Sequence, residues 1–542
     1  MIKANWIADY MVTALGCGTE VNAQAISNYK TGIKPQNIGD NHFIAAPIDW
    51  SLIPTIEGYT KLESLIIFCV ENLKKQIDRD LSNAKIIFST TKGNIDLLAD
   101  GLSTNVYLNS LAHNICRYCN IKSEPIVISN ACISGLSALI IGSRLIQEGK
   151  ADDVIVVGAD LLSEFVITGF QAFKSVSANP CLPYDEKRDG LSMGEACGAV
   201  LLSSLKSDIQ LLSGAITNDA NHISGPSRTG DGLFYAIDSA LKQSNISRED
   251  ISFISAHGTA TVYNDEMESK AISLAELSTV PTNSLKPYFG HTLGACGVIE
   301  SILSVWQLRN NIVFGTKGFT SLGTPMPLNI NAEHSQINTG VACLKIASGF
   351  GGCNAAMVLA KDSESQQGLT INEANIATEK TVQICGSGDF AERIREEYKA
   401  LNSANLKFFK MDDLSKLGYV CACNLLKDIE LSEDRTKVAV ILSNSSSSLN
   451  TDIKHQELLN SLTPASPAIF VYTLANIVSG EICIKNNIKG ENTFFIQEAE
   501  GGFSKEYAQY LLKNGIAEMV IYGWCDLLNE NYNCKLELLK KK

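Results

Sequence analysis

An internal repeat constrains this chain more than any other feature. Ile126 to Leu162 and Thr493 to Leu528 follow one order: apolar strand-like run, small-residue turn, helical period, glycine, second apolar run, glycine, then Asp-Leu-Leu. Cys132 stands 17 positions before Gly149, and Glu498 stands 17 positions before Gly515. Two upstream segments match in the same order. The run Lys85 to Ser89 pairs with Lys437 to Ser443, and Val12 to Gly18 pairs with Val382 to Gly388. Segments that match in register imply shared architecture. Alternating strand-like and helical runs imply α/β layers. The expected organisation is therefore an α/β domain over 1–362, with halves of about 1–210 and 211–362, a linker over 363–380, and a degenerate copy of the first half over 381–542. The linker reading rests on Asp362-Ser363-Glu364-Ser365-Gln366-Gln367-Gly368, where periodicity is lost. Lys540-Lys541-Lys542 reads as a solvated tail.

Composition narrows the function classes. The chain has 542 residues, 45% hydrophobic and 19% charged, which suits large cores rather than disorder. A net charge of −13 argues against nucleic acid or an anionic membrane as a general partner. Met1 to Lys30 lacks a secretory pattern, and no apolar run is long enough to span a bilayer. The 16 cysteines include no CxxC pair, so a zinc ribbon or redox dithiol is not expected and a reducing cytoplasm is the natural setting. Gly386-Ser387-Gly388 follows a strand-like run but lacks the third glycine of a dinucleotide fingerprint. Nicotinamide binding is not expected.

Four segments carry chemistry. Ser129-Asn130-Ala131-Cys132-Ile133-Ser134-Gly135 lies between the strand-like Ile126-Val127-Ile128 and a helical period over 135–149. A thiol at such a helix start is expected to ionise more easily than one in a coil. Ser255-Ala256-His257-Gly258-Thr259-Ala260-Thr261 follows the strand-like Ile251 to Ile254. Lys286-Pro287-Tyr288-Phe289-Gly290-His291 precedes a Gly/Ala-rich helix over 293–308, and Gly349-Phe350-Gly351-Gly352-Cys353-Asn354 follows a strand-like run. Glycines at these strand ends let backbone approach a ligand closely.

Cys132, His257 and His291, in this order and context, resemble the Cys-His-His triad of β-ketoacyl-acyl-carrier-protein synthases, condensing enzymes of the thiolase superfamily. Pro183-Tyr184-Asp185-Glu186-Lys187-Arg188-Asp189-Gly190-Leu191-Ser192-Met193-Gly194-Glu195 and Gly290-His291-Thr292-Leu293-Gly294-Ala295-Cys296-Gly297-Val298-Ile299-Glu300-Ser301 are similar to two further signatures of that family. The resemblance covers the first two thirds of the chain. It implies a thiolase-like layered α/β/α/β/α fold, with a half-thiolase-like α/β unit appended. It also implies acyl transfer to Cys132 and decarboxylation of a malonyl thioester with His257 and His291 as donors to the enolate. The oxyanion would be held by backbone N–H groups of Cys132 and Phe350, and Phe350 would gate the acyl pocket. Lys286 and Glu300 would form the charged pair beside the second histidine, and Asp265 would be a structural acid.

No metal or dissociable cofactor is implied, because substrates arrive on the phosphopantetheine of acyl carrier protein. The implied partners are that carrier and a second ketosynthase-like surface, as a homodimer or in another chain. Lys174, Lys187 and Arg188 are candidates for carrier docking. One departure is the stretch between Thr91 and Cys132, shorter than in the family, where relatives build the dimer face and acyl tunnel. Two competing readings are a non-catalytic partner resembling a chain-length factor and a Cys-His thiol hydrolase. The intact triad argues against the first, and the second has no use for two histidines. Glu498 stands where the copy would carry its thiol, so the copy is not expected to condense anything.

Overall fold

Three successive stretches of the chain each build a sheet around five strands in one order. The computed structural model describes residues 2–38, 41–362, 375–401 and 405–542. In the first stretch the strands are β1 (Ala4–Thr13), β2 (Lys85–Ser89), β3 (Ile126–Ile128), β4 (Asp153–Asp160) and β5 (Ala196–Ser203). They lie in the order β3-β2-β4-β5-β1, with β2 parallel to β3 and β4, and β5 antiparallel to β4 and β1. The second stretch supplies β6 (Ile209–Asn218), β7 (Ile251–Ser255), β8 (Pro281–Asn283), β9 (Ala342–Gly349) and β10 (Cys353–Lys361), ordered β8-β7-β9-β10-β6 with the same parallel and antiparallel pairs. The third supplies β11 (Ile376–Ser387), β12 (Val438–Asn444), β13 (Asn492–Ile496), β14 (Met519–Leu528) and β15 (Asn531–Lys541), ordered β13-β12-β14-β15-β11.

The first two sheets join edge to edge where Ala4 and Asn5 of β1 pair with Leu211 and Gln210 of β6. Between their faces lie two helices, α1 (Ser134–Gln147) and α2 (Cys296–Asn310). These helices are buried almost all round, as a middle layer requires.

Two local expectations are corrected. Residues 363–374 of the expected linker lie outside the described residues, but the strand already begins at Ile376 rather than at Thr381. Lys540 and Lys541 are not a free tail, since β15 runs to Lys541 and pairs with Ile376 and Ala377. Lys540 also forms an ion pair with Glu379 at 2.6 Å. The cause is the same in both places. The first and last strands of the third unit pair with each other from opposite ends of the unit, and local composition carries no trace of that contact.

The third unit docks on the first through equivalent strands. β3 runs antiparallel to β13, pairing Ile128 with Phe495 and Val127 with Ile496. The Ser129 amide donates to the Phe494 carbonyl at 3.1 Å. Aligning the two units on Cys132 and Glu498 makes these contacts reciprocal: Ile128 meets the counterpart of Ser129, and Ser129 meets the counterpart of Ile128. Reciprocity of this kind marks a two-fold, isologous interface, here closed within one chain. Asn130 Nδ2 donates to the Asn492 carbonyl and Asn492 Nδ2 to the Thr217 carbonyl, both at 2.9 Å.

Two buried ion pairs cross this junction, Arg144 with Glu491 at 2.8 Å and Lys92 with Asp452 at 2.7 Å. Lys92 also donates to the Thr473 carbonyl. Phe165, Phe170, His455 and Phe470 close an aromatic cluster beside them. Among the described residues, no single helix is long and apolar enough to cross a membrane.

Removing one member of a buried ion pair strands its partner's charge, which typically costs about 3–5 kcal/mol, whereas an apolar pair of similar volume is close to neutral. Lys92→Met is therefore expected to lower unfolding stability by about 3 kcal/mol, and Lys92→Met with Asp452→Leu to recover most of that loss in denaturant titrations. Losses that simply add would contradict the pairing.

Candidate active site

The thiol and one histidine sit on matching turns of the two half-domains. β3 ends at Ile128, Ala131 adopts a left-handed conformation at φ 49°, and a single 3-10 turn over Ala131–Ile133 leads into α1. Ser134 fixes that turn, its Oγ accepting from the Asn130 amide at 2.7 Å and donating to the Ala131 carbonyl at 2.6 Å. In the second half Leu293 is left-handed at φ 52°, and a 3-10 turn over Leu293–Ala295 leads into α2. The starts of the two helices touch. A methyl group on Gly135 would lie 2.8 Å from the Gly294 carbonyl oxygen and 2.9 Å from the Val298 nitrogen, and one on Gly297 would overlap the Leu136 amide. Glycine at both positions allows the contact.

That contact brings His291 Nε2 to 3.2 Å from Cys132 Sγ. His257 lies just beyond the end of β7, its ring edge-on to His291 with centroids 5.1 Å apart. The thiol and one nitrogen from each imidazole all lie within 4.8 Å of one another. The Leu293 amide donates to His291 Nδ1 at 3.3 Å, and the Lys286 ammonium faces His257 Nδ1 at 3.4 Å. Each Nδ1 is thereby an acceptor, so each neutral ring carries its proton on Nε2. Burial, and after it the charge of Lys286, hold both histidines well below their ordinary pKa. The result is two neutral N–H donors beside one sulfur.

The charged groups behind the imidazoles are fully buried. Lys286 bonds Glu300 Oε1 at 2.6 Å and the His257 carbonyl at 2.5 Å. Glu268 accepts from the His257 and Gly258 amides at 2.8 and 2.7 Å, which fixes the loop that carries His257. Asp265 accepts from the Tyr184 and Thr259 amides at 2.7 and 3.1 Å, and burial raises it to about 7. It ties two loops together and does not reach the thiol site. Asp160, at the end of β4, accepts from Thr90 Oγ1 at 2.8 Å and the Gly294 amide at 2.7 Å. Burial raises Asp160 to about 6.

Family models match the chain over both halves of this site. Beta-ketoacyl synthase, N-terminal domain, covers residues 83–208, and Beta-ketoacyl synthase, C-terminal domain, covers residues 210–320. Residues 83–320 thus carry both domains of a β-ketoacyl synthase.

The chain is similar to 3-oxoacyl-[acyl-carrier-protein] synthase 2 of Rhizobium meliloti, 26% identical over 411 residues, which is 64% of this chain and 96% of that one. It is 31% identical over 248 residues to the enzyme of the same name from Staphylococcus aureus, spanning 43% of this chain and 60% of that relative's length. Among solved structures, a ketosynthase in complex with its chain length factor from Xenorhabdus doucetiae aligns with TM-score 0.61 and 26% identity, over 66% of this chain and 98% of that one. The PfaC keto synthase-chain length factor aligns with all of this chain and 78% of its own, with TM-score 0.81 at 15% identity. The fold is thiolase-like.

In this chain the glycine-rich loop closes over the thiol. A methyl group on Gly349 would lie 3.1 Å from the Cys132 nitrogen, so the loop backbone beside Phe350 runs against the nucleophile's own amide. The Phe350 ring stacks on Phe170 at 5.9 Å and leans on Phe173 at 5.4 Å. Asn476, from the third unit, donates to the Phe350 carbonyl at 2.8 Å.

Two expectations fail. The thiol is not easier to ionise, because burial pushes Cys132 up to about 12 and outweighs the lowering influence of Lys286. Arg188 is not a surface docking group. It is buried and donates to the Asp185 and Gly323 carbonyls, whereas Lys174 and Lys187 are exposed. Glu498 is exposed, 3.7 Å from His113, and far in sequence from the triad.

Sequence reading missed Glu268, Asp160, Asn476 and Lys345. Glu268 follows Asp265 by one helical turn, which was a usable signal. Asn476 carried none.

A donated hydrogen bond to a charged group is worth about 1.5–3 kcal/mol, hence roughly tenfold or more in thiolate population. His291→Ala is expected to slow iodoacetamide alkylation of Cys132 at pH 8 about tenfold and to move its pH profile upward, as read by peptide mapping. An unchanged rate would contradict donation from Nε2.

Proposed function

We propose that this synthase carries out a decarboxylative Claisen condensation between an acyl group held on Cys132 and a malonyl thioester. The single observation that carries the reading is that one ring nitrogen of each histidine and the Cys132 sulfur lie within 4.8 Å of one another, His291 through Nε2. In the first half-reaction Cys132 sulfur attacks the acyl thioester carbonyl, the carrier thiol leaves with a proton, and an acyl-Cys132 thioester remains. In the second, the malonyl C–C bond breaks, carbon dioxide departs, and the electron pair becomes an enolate. His257 and His291 donate to the enolate oxygen, where charge develops. The enolate carbon then bonds to the acyl carbonyl carbon, the Cys132 thiolate leaves and is reprotonated, and a 3-oxoacyl thioester is released. Backbone N–H groups of Cys132 and Phe350 would hold the intermediate oxyanion.

The natural carrier of both thioesters is acyl carrier protein, with substrates on its phosphopantetheine arm and no metal or other cofactor in the reaction. Carrier docking would fall to exposed lysines such as Lys174 and Lys187. The second ketosynthase-like surface is already present in the chain as the third unit. This unit supplies Asn476 to the gate loop and Phe470 to the aromatic wall, 5.4 Å from Phe170. The reading as a partner resembling a chain-length factor thus suits this unit rather than the whole protein, and Phe470 would limit how deep an acyl chain reaches.

The test is carbon dioxide release from malonyl-carrier, alongside acyl transfer. Cys132→Ala is expected to abolish transfer yet keep decarboxylation. Losing one preorganised donor costs about 10²–10³ in rate, so His257→Ala and His291→Ala are each expected to suppress decarboxylation by that order. Decarboxylation that survives both histidine changes would refute the assignment.

A further inference from the structure

Lys345 sits at the centre of β9 in an apolar run, Ala342-Cys343-Leu344-Lys345-Ile346-Ala347, and its side chain is wholly buried. A buried ammonium is costly unless all its protons are bonded. Those of Lys345 have three acceptors: Glu300 Oε2 at 2.5 Å and the Ser255 and Ala256 carbonyls at 3.2 Å. Lys286 occupies the other oxygen of the same carboxylate. One glutamate is thus shared by two ammonium groups, one oxygen each.

We infer that Lys345 is a positioning residue for the condensing site: it holds Glu300 from the far side, so that Lys286 engages a single carboxylate oxygen and keeps its remaining protons on the His257 carbonyl and Nδ1. This rests on the function proposed above. Without Lys345 the free Oε2 would draw Lys286 into a two-oxygen contact and away from His257 Nδ1. His257 would then lose the acceptor role that fixes its proton on Nε2. The two carbonyls at the end of β7, on the residues just before His257, would also lose their donor.

Every element packed on the imidazoles contributes a group to this balance. Lys286 comes from the short helix Lys286–Phe289, Glu300 and Cys296 from α2, and Cys132 from the turn before α1. Glu268 comes from the helix Val262–Leu274, Asp160 from β4, and Cys343 and Lys345 from β9. The Glu268 carboxylate is spent on the His257 and Gly258 amides, the Tyr184 hydroxyl and Asn264. The Lys345 charge opposes protonation of both histidines, so its removal makes them easier to protonate.

The test replaces the ammonium with neutral groups, Lys345→Met and Lys345→Gln. The glutamine amide can still donate to the two β7 carbonyls, which guards against a variant that fails to fold. Two readouts are taken on the full chain. Ring NMR of His257, assigned with His257→Ala, reports tautomer and titration without any turnover. The pH profile of carbon dioxide release from malonyl-carrier reports function. A nearby charge typically moves a titration by about one unit or more. The expected result is a His257 midpoint and an acid limb both raised by about one pH unit, a Nδ1–H population absent from the parent, and a fall in kcat with KM little changed. A folded neutral variant with the parent's His257 spectrum and pH profile would overturn the inference. Absence of carbon dioxide release in the parent would instead refute the proposed function, and the NMR arm would still decide the role of Lys345.

Discussion

The close contact between the first turns of α1 and α2 is the constraint on which the rest depends. Two helices from opposite halves of the domain start at the same point because Gly135 and Gly297 present no side chain to each other's backbone. The left-handed residues Ala131 and Leu293 aim both chains into that point. Such conformations persist only where the surroundings over-determine them. Here they are over-determined by the Ser134 hydroxyl on one side and by Asp160, which grips both the β2 strand end and the Gly294 amide, on the other.

The third unit shows how a fold can be reused without its chemistry. It repeats strand order and register, yet its position for the thiol is an exposed glutamate. Its contribution lies in the interface. β13 completes the edge of β3, which ends beside Cys132, and Asn476 and Phe470 reach the loop and wall that face the thiol. A covalent link makes that interface independent of protein concentration, unlike an association between separate chains. The chain therefore holds a two-fold surface between two of its own units.

How much could be read in advance depended on whether a signal was local. Cys132 and His257 follow strand ends and His291 follows a short helix, each with a glycine within three residues, and that pattern is written in adjacent residues. The repeat was legible through the equal spacing of Cys132 to Gly149 and Glu498 to Gly515. The second half-domain's repetition of the same strand order is not legible in the sequence, because its helices and loops differ in length. Pairings between distant residues stayed hidden. Only the outer ends of the β11–β15 ladder, residues 376–380 and 540–541, read as linker and tail, and nothing local marks the partners of Asn476 or Asp160. Electrostatics misled at Cys132, where a helix start suggested easy ionisation and burial reversed the sign. Lys345 was visible as a lone charge in an apolar strand, but its meaning needed the partner Glu300, 45 residues away.

The role of Cys132 is decided most directly by where an acyl group goes. Incubation of the full chain with a short acyl-carrier thioester, followed by proteolysis and mass spectrometry, locates the transferred group. The expected result is one acyl adduct on the peptide containing Cys132, discharged when malonyl-carrier is added. An adduct on another of the 16 cysteines, or none on a folded protein, would contradict the account.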